Sequence, residues 1–232
     1  KYNLPMEETK RFEIYSGRNN VQMPKLIADG RVPLPVSGLM QRRLDLRNDD
    51  SGVKTFFMDN YFDTGDAVAY KDDRVKIVLD SAQLRELNPK SQIKGGALVL
   101  GDGVYETLKG PEFTREELGS HVGNWLNAEQ ARSNLIWKVL ARDQALLDDY
   151  VPYIFAEAKK RFNQDTEMGV FLADNKEKAP TLRAWYVRGL DGRSNAIGWG
   201  GLDSDGGRLV GIAPEALVAP GKGTENVRSY TM

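Results

Sequence analysis

The sequence predicts an α+β protein in which a mixed, largely antiparallel sheet packs against a central helical segment. Helical spacing and two capping signals concentrate between Thr114 and Phe162. Segments rich in β-branched and aromatic residues, separated by turn residues, flank that stretch on both sides. The resulting order of helices, strands, helices and strands differs from a regular βαβ array. With no internal repeat or inter-domain linker, residues 1–232 are expected to form a single α+β domain.

In the first fifty residues short helices and turns are expected. Pro5 opens a helix in PMEETKRFEIY, with acids in its first turn and Lys10 and Arg11 further on; SGRNN ends it. Pro33 and Pro35 hold RVPLPV extended. Ser37 is expected to cap GLMQRRLDL, whose Leu39, Leu44 and Leu46 give a partial apolar face. VKTFFM is read as a strand from its composition, and DAVAY and VKIVL as a hairpin about the four-residue turn KDDR. SAQLREL follows as a short helix capped by Ser81. GALVLGDGVYETL reads as two strands about a turn at Asp102 and Gly103.

The central helical segment has two starts. Glu117 stands three positions after Thr114, as a capping box requires, and NAEQ repeats the pattern from Asn127. From there Ala131, Leu135, Val139, Leu146 and Tyr150 recur at roughly helical spacing, and Ile154, Phe155, Ala158 and Phe162 extend the stripe. The run exceeds an ordinary helix, so a break is expected near Tyr150–Pro152. Beyond it MGVFLA, LRAWYVRGL, NAIGWGGL and GRLVGIA read as strands joined by turn-like DNKEKAP, DGRS and DSDGG. PEAL is expected as a helical turn before the glycine-rich APGKG.

Composition narrows the function classes. The chain is 41% apolar and 28% charged, ordinary for a folded protein, and its 32 basic and 33 acidic groups nearly cancel. No segment is a strongly cationic arm, so nucleic acid is not the expected partner. The absence of cysteine removes disulfides, thiolate nucleophiles and Cys-based metal centres, and agrees with a cytoplasmic or other reducing compartment. No apolar run is long enough to span a bilayer, so no membrane role is expected.

The stretch DNYFDTGDAVAYKDDRV raises the main chemical question. If residues 59–66 curve as a loop, Asp59, Asp63 and Asp66 would converge on a hard cation such as Mg or Ca. The competing reading needs no ion: Asp63 and Thr64 bond to nearby backbone N–H groups, Gly65 takes the bend, and Asp72 and Asp73 form a separate hairpin turn. Over about fifteen residues the stretch YFDTGDAVAYKDDRV also resembles the Tyr/Trp-x-x-Thr-Gly-Asp segment of adenylate-forming ligases. That resemblance implies Asp66 as a ribose contact. The chain departs from the ligases in having no Ser/Thr/Gly-rich phosphate loop and in its shorter length, which leaves hairpin chemistry as the reading of the match.

Elsewhere the chemical signals are sparse. DSDGGR lacks the glycine and glutamate positions of a calcium loop. His121 is the sole histidine, with Glu117 its neighbour at helical spacing, and no hydrolase signature accompanies it. Arg42 and Arg43 are candidate phosphate-binding residues, and Trp185 and Trp199 are candidate recognition aromatics if they are exposed together. The favoured expectation is a structural or protein-interaction module without intrinsic chemistry or resident cofactor, acting on a protein partner or as a homo-oligomer. A divalent-metal-dependent hydrolase or phosphoryl-transfer enzyme built on Asp59, Asp63 and Asp66 is the alternative. A nucleic-acid-binding module around Arg42 and Arg43 stands third.

Overall fold

The computed structural model describes residues 6–49, 51–163, 165–174 and 179–214. The expected helix start at Pro5, the rest of PEAL beyond Pro214 and the APGKG stretch lie outside the described residues. The N-terminal part comprises α1 (Met6–Arg11), β1 (Phe12–Ser16), α2 (Asn19–Ala28), β2 (Val32–Pro33) and α3 (Val36–Asp45). Next come α4 (Gly52–Asp59), β3 (Phe62–Lys71), β4 (Arg74–Val78), α5 (Ala82–Arg85), β5 (Ile93–Lys94) and β6 (Ala97–Val99). The middle of the chain holds α6 (Val104–Thr107), β7 (Glu112–Thr114), α7 (Arg115–Leu118) and β8 (Trp125–Leu126), then α8 (Ala128–Ser133), α9 (Leu135–Ala141) and α10 (Gln144–Phe162). Four strands close the described chain: β9 (Met168–Leu172), β10 (Thr181–Val187), β11 (Ser194–Gly198) and β12 (Arg208–Ile212).

These strands form one mixed sheet whose spine runs β1-β12-β3-β10-β11-β9-β8. β11 with β9 and β12 with β3 pair in parallel, and the remaining pairs are antiparallel. The α+β class is therefore as the sequence predicts. Successive side chains of a strand point to opposite faces, and the sheet uses both. Phe62, Val68 and Tyr70 of β3, with Trp185 and Val187 of β10, enter the larger core with residues of α3, α4, α9 and α10. Ala67 and Ala69, with Leu182 and Ala184, join a smaller core against Met23 and Leu26 of α2 and Leu84 of α5.

The DAVAY–VKIVL hairpin forms with Lys71 opposite Arg74, and Asp72 takes φ 53° in its turn. Ser81 caps α5, and both capping boxes are present, at Thr114–Glu117 and Asn127–Gln130. VKTFFM, in contrast, is helical. Ser51 Oγ accepts from Val53 N at 3.1 Å, and Val53, Phe56 and Phe57 share the buried face that a helix gives to positions i, i+3 and i+4. Ser37 does not cap α3. Its start is held instead by Asp66 Oδ2, which accepts from Val36 N at 2.8 Å. After Gly103, which has φ 74°, the chain continues into α6 and not into a second strand.

The long helical run is broken at places other than the expected one. Asn134 Oδ1 accepts from Ile136 N and Trp137 N at 3.0 and 3.1 Å, starting α9 afresh. Arg142 then takes a left-handed conformation, and Asp143 caps α10 through Ala145 N at 2.9 Å. Pro152 lies inside α10, which runs on for 19 residues. An interior proline costs about 3 kcal/mol. Full burial of Leu147, Tyr150, Val151 and Ile154, at about 1.5–3 kcal/mol per large apolar side chain, outweighs it.

Candidate functional site

The site begins with strand alternation. Phe62 and Trp185 point into the larger core, so Asp63 and Tyr186, which face each other across β3 and β10, turn to the opposite side of the sheet. Around them, Tyr61 precedes β3, Arg188 follows β10, Trp199–Gly201 follow β11, and Ser204, Gly206 and Gly207 lead into β12. Together they line a cleft of about 360 Å³.

Aromatic rings make its wall. Tyr61 and Trp199 are 38% and 46% exposed and stand in the same cleft. Tyr61 meets Tyr186 edge-on at 6.2 Å between centroids, and its hydroxyl donates to the carbonyl of Gly206. The Arg208 guanidinium lies 5.3 Å over the Tyr61 ring and donates to Asn60 Oδ1. Trp199 packs on Phe171 at 5.8 Å, and Phe171 on Trp125 at 5.0 Å. The Trp199 side chain also bonds to the Tyr186 hydroxyl, whose pKa burial nevertheless raises.

The loop carrying Trp199 is pinned from beneath. Arg183 Nη1 donates to the carbonyls of Trp199 and Gly200 at 3.0 and 3.3 Å, and its Nη2 to Gly95 O at 2.5 Å. The far rim is set by close backbone approach. A Cβ on Gly207 would lie 2.4 Å from Gly17 O, and Gly17 N donates to Gly207 O at 2.8 Å.

Asp63 is the buried acid of this cleft, 7% exposed. Its Oδ2 accepts from Arg208 N at 2.8 Å, and the Asn19 side chain adds a hydrogen bond. Burial pushes the carboxyl up to about 6, against the opposing pull of those two bonds and the more distant Arg208 charge. Oδ1 lies toward Gly200, where a Cβ would stand 3.7 Å from it. Among the described residues no basic side chain reaches ion-pair distance of Asp63. Arg188, half-exposed on the rim, is paired with Asp191 at 2.6 Å.

The expected convergence of Asp59, Asp63 and Asp66 does not occur. Asp59 ends α4 and pairs with Arg161. Asp66 stands three residues beyond Asp63 in the same strand, which puts it on the other face of the sheet. There Oδ1 accepts from Arg142 Nη2 at 2.7 Å and from Asp80 N at 2.9 Å, while Oδ2 takes Val36 N. Burial raises the Asp66 carboxyl, and Arg142 and the two N–H groups pull it back. Asp66 is fully buried and both its oxygens accept from protein groups, so it presents no free oxygen for the ribose contact implied by the ligase resemblance. Among the described residues no group of three or more His, Asp or Glu side chains is placed to hold a metal ion.

The other sequence candidates are also dispersed. Arg42 pairs with Glu8 at 2.5 Å and stacks over Phe12 and Phe57 at 4.9 and 5.4 Å. Arg43 is fully buried, donating to Phe57 O at 2.9 Å, Tyr150 Oη at 2.8 Å and Arg188 O at 3.1 Å. Both guanidinium groups are spent on the fold. Trp185 is fully buried in the larger core, so it and Trp199 do not form an exposed pair. His121 Nδ1 accepts from Leu135 N at 3.3 Å, while Glu117 is taken up by its capping box with Thr114.

Trp199 and Asp63 are candidates that the sequence singles out, whereas Tyr61, Tyr186 and Arg188, their neighbours in the cleft, are not. The available signal was the alternation of LRAWYVRGL, which sets Tyr186 opposite Trp185, together with the glycines either side of a lone tryptophan in GWGG.

No protein-family model matches the chain, and no curated protein matches it. Among solved structures, one described as "Accommodation of massive sequence variation in Nanoarchaeota by the C-type lectin fold" superposes with a TM-score of 0.66. The match has 15% sequence identity and covers 88% of this chain and 98% of that one. The likeness establishes a C-type-lectin-like fold. No helix among the described residues is long and apolar enough to cross a membrane.

Proposed function

We propose that the chain is a recognition module, a C-type-lectin-like scaffold that offers a preformed cleft to a protein partner and performs no chemistry of its own. One observation carries this reading. Of the four large hydrophobic side chains exposed among the described residues, two, Tyr61 and Trp199, line the same cleft. Tyrosine and tryptophan supply large contact areas at small entropic cost and dominate the energetics of recognition surfaces. The Arg183 bonds and the Gly17–Gly207 contact hold the rim in place before binding, which lowers the ordering cost of association. The solved neighbour, described as accommodating massive sequence variation by the C-type lectin fold, supports reading this fold as a scaffold that holds while its sequence varies.

Peptides selected from a displayed library against the intact chain test this reading. They are expected to compete with one another and to lose affinity at least about tenfold on Trp199→Ala, the size of a hot-spot truncation. Selected binders indifferent to Trp199→Ala and Tyr61→Ala would overturn it.

A further inference from the structure

Building on that reading of the cleft, its chemistry narrows the kind of partner. Asp63 is a carboxylate with little contact with water and no ion-pair partner among the described residues. Arg208 N donates to its Oδ2 and the Asn19 side chain adds one neutral hydrogen bond, while Oδ1 is turned toward the cleft-lining Gly200. A buried charge in this condition is costly unless a counter-charge reaches it. Tyr61, Tyr186 and Trp199 line the same space, and aromatic faces attract cations through their quadrupoles. The two nearby cations already have partners: Arg208 is held by Asn60 and Tyr61, and Arg188 by Asp191. At about 360 Å³ the cleft is small among ligand pockets, which run from about 300 to 1,000 Å³, and suits one long side chain.

We infer that the cleft takes a basic side chain, an arginine or lysine presented by a protein partner, with its charge against Asp63 and its stem along Tyr61, Tyr186 and Trp199. An acidic side chain would meet Asp63 as a like charge, and a neutral one would leave that carboxylate uncompensated. At neutral pH the carboxyl is ionised, since burial raises it only to about 6. Other charged or titratable groups around it are Arg208 of β12, Tyr186 and Arg188 at the end of β10, and Tyr61 before β3.

The test uses N-acetylated, C-amidated Gly-X-Gly peptides on the intact chain, with X arginine, lysine, citrulline or glutamate. Affinity is followed at pH 7.5 through the indole N–H resonance of Trp199, assigned with Trp199→Phe. The arginine or lysine peptide is expected to bind at least about tenfold more tightly than the citrulline peptide, the scale of a hydrogen bond to a buried charge. Asp63→Asn is expected to erase that preference. The arginine–citrulline comparison needs no variant, so it stands even if Asp63→Asn fails to fold. Equal affinities for arginine and citrulline, a preference for glutamate, or no response to any peptide at millimolar concentration would overturn the cation assignment. Loss of selected library peptides on Trp199→Ala would then still uphold the cleft reading. Guanidinium ion alone is expected to bind more weakly than the arginine peptide; equal binding would overturn the protein-borne source.

Discussion

The two ends of one strand segment make opposite uses of the same residue. Asp66 and Asp63 lie three positions apart in β3, and both are withdrawn from water. Asp66 is answered on every side, by Arg142 and by two backbone N–H groups, and through Val36 it fixes the start of α3. Asp63 has one backbone donor and one amide, and among the described residues no cation at ion-pair distance. A buried carboxylate surrounded by complementary groups works as a structural tie. One left partly unanswered beside a cleft is a place where an outside charge gains by binding.

That contrast can be broken in order of expected effect. Asp66→Ala removes one member of a buried pair and strands the N–H of Val36, so it is expected to cost about 3–5 kcal/mol in urea unfolding. A loss below about 1 kcal/mol would deny Asp66 its role as a tie.

Asp63 sharpens the comparison through pH. Its folded-state value of about 6 lies above the reference 3.8, so the folded chain binds the proton more tightly. The resulting stability is fully present below about pH 4 and is lost as pH rises through 6, a drop on the order of 2–3 kcal/mol. Asp63→Asn is expected to flatten that drop, while Asp66 titrates in both proteins and cancels from the difference. Stability curves that stay parallel between pH 4 and 7 would remove the distinction between the two acids.

The smallest effect is expected from metal ions. Asp59, Asp63 and Asp66 are held apart by separate partners, so millimolar Mg²⁺, Ca²⁺ or Mn²⁺ is expected to move Tm by less than about 1 °C. A larger rise that disappears in Asp63→Asn would show that the Asp63 carboxylate takes an ion.

Local rules made much of the fold legible. The β3–β4 hairpin, the Ser81 cap, both capping boxes and the four C-terminal strands each depend on residues within a few positions of one another. VKTFFM has the composition of a strand but the spacing of a helix. Ser51 ahead of Val53, Phe56 and Phe57 already carried a helical cap and face. Pro152 misled in the other direction, since its local cost is outweighed by packing that only the folded chain supplies. The cleft was the least legible part. It gathers Tyr61 just before β3, Tyr186 of β10 and Trp199 just after β11, with β3 and β10 paired across more than a hundred residues, and adjacent residues such as Trp185 and Tyr186 part company at the sheet.

Arg183 grips the rim through the oxygens of Gly95, Trp199 and Gly200, all of them main-chain atoms. Those anchors ask nothing of the side chains displayed above them. At Trp199 the path of the loop is thus uncoupled from the side chain displayed, whereas Gly200 and Gly207, where a Cβ would stand 2.9 Å from the Tyr186 ring and 2.4 Å from Gly17 O, hold the opening to glycine.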